Sequence, residues 1–146
     1  MSDIRTILLA EDSLADAEMA IDALREANLA NPIVHVEDGV EALDYLLRRG
    51  AHAGREPGLP SVLLLDIKMP RMDGLEVLKN IRSHEQLKHL PVVILSSSRE
   101  ESDLARSWDL GVNAYVVKPV DIDQFFQAVK TLGTFWAVIN ETPARD

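Results

Sequence analysis

Short apolar runs alternate along this chain with longer segments whose apolar residues recur every three or four positions. The runs are Thr6 to Ala10, Ile33 to Val36, Ser61 to Asp66, Val92 to Ser96 and Ala114 to Val117. Such runs read as strands buried on both faces, which is the habit of a parallel sheet covered by helices on each side. Helical periodicity covers about Leu14 to Ala27, Val40 to Arg48, Leu75 to Glu85 and Glu101 to Leu110, and a last helix starts near Ile122. Five strands alternating with five helices predict a doubly wound α/β sheet. Arg49 to Pro60, with three Gly and two Pro, reads as a longer surface loop. The last helix carries Ile122, Phe125, Phe126, Val129, Leu132 and Trp136 near helical spacing, so it extends past Gly133 toward Ile139 before Thr142-Pro143 stops it.

The central run, Ser61-Val62-Leu63-Leu64-Leu65-Asp66, delivers one carboxylate to its exit and then turns through Ile67-Lys68-Met69-Pro70-Arg71-Met72-Asp73-Gly74. Ligands bind at the carboxyl ends of parallel strands. Glu11 and Asp12 follow the first strand, so three acids share that edge. Carboxylates at such density raise one another's pKa unless a cation holds them ionised. With oxygen ligands and none of the four histidines at these strand ends, the set fits Mg²⁺. The fourth strand brings Ser96 to the same edge and the fifth brings Lys118, completing a phosphate site. Each residue taken singly also has a plainer reading. Glu11-Asp12-Ser13 can be a helix N-cap, Ser96 a turn hydroxyl, and Lys118 a solvated ammonium.

Composition narrows the function. At 146 residues the chain is sized for one domain, 1–146. A net charge of −9 disfavours binding to nucleic acid. The absence of Cys excludes disulfides and thiolate chemistry. No secretory leader is evident, and no apolar run approaches the roughly 20 residues of a membrane span. A cytoplasmic protein without a membrane partner is expected.

The pair Glu11-Asp12, the block Asp66 to Gly74, Ser96 and Lys118-Pro119 together resemble the receiver domains of two-component response regulators. The resemblance covers about residues 5–133, leaving an extension of 134–146. It implies a flavodoxin-like sheet of order 2-1-3-4-5, and a signalling protein rather than an enzyme, with self-catalysed phosphoryl transfer and autodephosphorylation. Asp66 would accept a phosphoryl group from a sensor histidine kinase. Asp12, Asp66 and the Lys68 backbone carbonyl would ligate Mg²⁺, with Glu11 acting through a water. Ser96 and Lys118 would bind the phosphoryl oxygens, with a cis peptide at Lys118-Pro119, and Tyr115 would be the switch aromatic coupled to Ser96. Tyr115 also reads as an ordinary packed strand residue. Glu11 replaces the commoner Asp, Ser96 the commoner Thr, and Lys68 stands at a position that influences phosphoryl lifetime.

With only a short tail beyond the resemblance, output is expected through association or phosphate relay. Leu104, Trp108, Phe126, Phe135 and Trp136 are the candidate interface of a homodimer through the fourth helix, fifth strand and fifth helix, set against the reading that they complete the core. The long loop, the Asp-Ile-Lys-Met-Pro form and the aromatic C-terminal helix are similar to the small response regulators paired with bacterial phytochromes. Three rival readings are open to this sequence. One is a phosphorylation-independent pseudo-receiver. A second is an aspartate-nucleophile phosphatase, which usually needs an acid where Lys68 stands. The third is a flavin binder, disfavoured by the acidic first loop.

Overall fold

The computed structural model describes residues 6–26, 31–96, 110, 112, 114–118 and 121–130. Its strands are β1 (Ile7–Ala10), β2 (Ile33–Val36), β3 (Val62–Asp66), β4 (Val92–Ser96) and β5 (Ala114–Val117). All neighbours are parallel, in the order β2-β1-β3-β4-β5. The helices among the described residues are α1 (Leu14–Glu26), α2 (Gly39–Leu47), α3 (Gly74–Ser83) and α4 (Ile122–Lys130). The last of these is the helix expected fifth in the sequence. The expected fourth helix, with Leu104 and Trp108, and the extension carrying Phe135 and Trp136 lie outside the described residues, as does the side chain of Phe126.

Strand residues alternate between two cores because successive side chains leave a strand on opposite faces. Leu8, Ala10, Leu63 and Leu65 pack with Leu43, Leu46, Leu78 and Ile81 of α2 and α3. Ile7, Leu9, Val62 and Leu64 pack with Ala17, Leu24 and Phe125 of α1 and α4. In α4, Phe125 is fully buried in this second core. Both cores need apolar side chains from β1 and β3, which explains why these strands show no polar alternation.

Helix boundaries follow their caps. Asp38 starts α2 one residue earlier than hydrophobic periodicity indicates, its carboxylate accepting Glu41 N–H at 2.8 Å. α3 stops at Ser83, two residues early, where His84 turns extended and Leu87 and Leu90 re-enter the core through a series of turns. The 49–60 segment contains a 3₁₀ turn at Gly50–His52 and is tied down by Arg55. That guanidinium lies 4.1 Å over the Tyr45 ring and donates to the carbonyls of Tyr45, Leu46, Glu56 and Gly58. One arginine thus joins two carbonyls from the last turn of α2 to two from the Gly- and Pro-rich segment that follows it.

Candidate functional site

Parallel pairing brings the ends of β1, β3, β4 and β5 to one edge of the sheet. Ala10 is in register with Leu65, Asp66 with Leu95, and Ser96 with Val117. Glu11 and Asp12 therefore leave β1 beside Asp66, and Lys118 leaves β5 on the same edge. One carboxylate oxygen from each of Glu11, Asp12 and Asp66 lies within 4.8 Å of the other two. Glu11 and Asp66 are buried and Asp12 is exposed, so the group opens to solvent on the Asp12 side.

Lys118 Nζ donates to Glu11 Oε1 at 2.9 Å and to Asp16 Oδ2 at 3.0 Å, and stands 3.4 Å from Asp66 Oδ1. Burial disfavours its ammonium, yet the hydrogen bonds to Glu11 and Asp16 and the charge of Asp66 outweigh that and raise its pKa. Burial first and the Glu11 charge second push the Asp66 carboxyl up to about 7, against the opposing pull of Lys118. One ammonium thus leaves the buried pair short of positive charge. The donor set is entirely oxygen, from acids spaced closely enough to share an ion, which fits a hard dication such as Mg²⁺.

The Glu11-Asp12-Ser13 run does both things that its sequence permits. Ser13 caps α1, its Oγ accepting Asp16 N–H at 3.2 Å, while Glu11 Oε2 accepts Ser13 N–H at 3.1 Å. Capping by Ser13 therefore leaves Asp12 with the acid group.

Lys68, with its side chain exposed, lies in the turn from β3 to α3. The turn is closed by Gly74 N–H on the Ile67 carbonyl at 2.7 Å, and Asp73 caps α3 through Glu76 N–H at 2.9 Å. A Cβ on Gly74 would fall on the Asp66 carbonyl, so glycine here permits the closing backbone approach. Ser96 ends β4 at the site edge, with its side chain outside the described residues. Tyr115 is half-buried in β5 and packs against the core on the α2 and α3 side. Pro119 and the peptide joining it to Lys118 lie outside the described residues.

Two contributors escaped the sequence reading. Asp16 reaches Lys118 because it sits one helical turn beyond Asp12 on α1, a spacing visible in the sequence once Lys118 is placed at the same edge. His35 Nε2 lies 2.7 Å from the Glu11 carbonyl, bridging β2 to the first site loop. No local sequence signal separates that role from ordinary strand placement. Among the described residues, no helix is long and apolar enough to cross a membrane.

A family model described as the response regulator receiver domain matches residues 7–130. The response regulator Rcp1 of Synechocystis sp. is 33% identical over 140 residues, covering 96% of this chain and 94% of that protein. Rcp1 has also been solved in a Mn(2+)-bound form, with a TM-score of 0.74, 33% identity and coverage of 96% of this chain and 99% of that one. The bacteriophytochrome response regulator AtBRR has a TM-score of 0.88 and 53% identity, over 96% of this chain and 100% of that one. The phosphorylated cyanobacterial phytochrome response regulator RcpA has a TM-score of 0.75 and 41% identity, over 91% of this chain and 94% of that one.

Proposed function

The chain belongs to the response regulator receiver family, and on that premise we propose that it is a single-domain regulator of the phytochrome-associated type whose Asp66 carboxylate is the phosphoacceptor. An ionised Asp66 oxygen attacks the phosphorus of a kinase phosphohistidine, the P–O bond forms, and the P–N bond breaks as histidine leaves. The observation that carries this reading is a buried carboxylate at a strand exit, grouped with two further acids and 3.4 Å from an ammonium. Lys118 holds Glu11 now and is near enough to Asp66 to pair with a phosphoryl oxygen. Ser96, on the neighbouring strand end, supplies a hydroxyl to another.

Asp12, Asp66 and the Lys68 carbonyl would hold Mg²⁺, with Glu11 acting through a water. When bound, the ion neutralises charge on the transferring oxygens. The Mn(2+) of the Rcp1 structure and the phosphoryl group of the RcpA structure support this assignment. Fluorine NMR with beryllofluoride and Mg²⁺ tests it. A bound resonance is expected in the wild type and none in Asp66→Asn, whereas a bound resonance in both proteins would reject Asp66 as the acceptor.

The proposed donor is a phytochrome-type sensor histidine kinase, in keeping with the relatives' names. An acyl phosphate adds charge and strong acceptors, draws Ser96 inward, and opens space for Tyr115 to rotate. The signal leaves through a homodimer face containing Leu104, Trp108, Phe126, Phe135 and Trp136. Light scattering with and without beryllofluoride tests this step, and a monomer mass under both conditions would remove the dimer from the proposal.

A further inference from the structure

Arg71 sits in the β3–α3 turn with a backbone φ of 66°, a left-handed conformation that disfavours a residue bearing a side chain. Its guanidinium makes a two-pronged contact with Asp38 across the site edge. Nε donates to Oδ2 at 3.0 Å and Nη2 donates to Oδ1 at 3.0 Å. Asp38 is itself held in place, because Oδ1 also accepts Glu41 N–H as the N-cap of α2. Beside this pair the backbones come close together, and a Cβ on Gly39 would fall on the Met72 carbonyl. The β3–α3 turn is thus fastened to the first turn of α2 by a forked ion pair and a glycine contact, separately from its own closure at Gly74.

We propose that Asp38 and Arg71 are positioning residues for the metal site, holding the turn so that the Lys68 carbonyl faces the acids. The inference rests on the assignment of Lys68 as a backbone ligand. A carbonyl ligand carries little charge to pull its loop into place, so its geometry depends on what anchors the loop. The anchor tolerates an unfavourable φ at Arg71, and a planar fork matches a carboxylate in a way that a lysine would not. Arg71 is more than half exposed, so solvent weakens the pair as a source of global stability but leaves its geometric constraint.

Two variants separate positioning from folding. Arg71→Gly removes the fork while relieving the left-handed φ, and Asp38→Asn removes the charge while keeping an equally good N-cap. Both are expected to unfold in urea near the wild-type midpoint. By calorimetry both should bind Mg²⁺ about tenfold more weakly, the lower end of what losing an outer support costs a metal site. In the metal-free proteins, amide exchange at residues 67–73 should be faster, with β1 and β3 unchanged. Wild-type Mg²⁺ affinity in both variants would overturn the positioning role, whatever the exchange rates show. A wild-type protein that binds no Mg²⁺ would instead overturn the metal site itself, and this inference with it.

Discussion

Lys118 Nζ is closer to Glu11 than to Asp66, at 2.9 Å against 3.4 Å. The ammonium therefore stabilises the buried glutamate first and leaves Asp66 only partly compensated, so that burial and the Glu11 charge still hold the Asp66 pKa raised. The Asp66 carboxyl is thus held beside an ammonium without being fully neutralised by it.

The first prediction concerns pH. With Asp66 raised to about 7 in the folded protein and near 3.8 when unfolded, the folded chain holds a proton that the unfolded chain has lost across that interval. In EDTA this group's contribution is therefore fully present below about pH 4 and is lost as pH rises through about 7. Urea midpoints should show a downward trend in the wild type that is flattened in Asp66→Asn. Added Mg²⁺ should raise the wild-type midpoint more at the alkaline end, where the acids it binds are already ionised.

A second prediction separates the two partners that hydrogen-bond Lys118. Glu11 is 1% exposed, whereas the Asp16 side chain is 38% exposed. Lys118→Met leaves the buried Glu11 without its cation and should cost about 3 kcal/mol in metal-free protein. Asp16→Asn removes a solvent-screened partner and should cost below about 1 kcal/mol. Equal losses in urea unfolding would mean that Asp16 accounts for the whole contribution of the ammonium and the buried Glu11 for none of it.

A third prediction concerns the turn. Gly74→Ala places a methyl group against the Asp66 carbonyl and the Ile67 backbone, neither of which can swing aside as a flexible side chain does. Destabilisation of about 1–3 kcal/mol is expected, with weakened Mg²⁺ binding because Asp66 itself must shift. Calorimetry and urea unfolding check the two effects separately.

The sheet and the acid group were legible because they depend on local pattern. Continuous apolar runs identified the buried strands, and parallel pairing then brought Glu11, Asp12, Asp66 and Lys118 to one edge. The sheet order came from the receiver resemblance and agrees with the structure. Asp16, His35 and the Asp38–Arg71 pair were not read, since each contact depends on how far loops from different strands lean toward one another. Arg71 shows the difficulty well. Its motif predicts a turn, but neither its left-handed φ nor its partner 33 residues away has a local signature. Helix ends shifted for a related reason, because the caps at Asp38 and His84 override apolar periodicity.

Phosphoryl transfer to Asp66 is tested most directly by intact mass after incubation with Mg²⁺ and a phosphodonor, either acetyl phosphate or a phosphorylated histidine kinase. One phosphoryl increment is expected in the wild type, lost with hydroxylamine as an acyl phosphate is, and none in Asp66→Asn. An unmodified wild type that is folded and binds Mg²⁺, or an increment that survives in Asp66→Asn, would contradict transfer to Asp66.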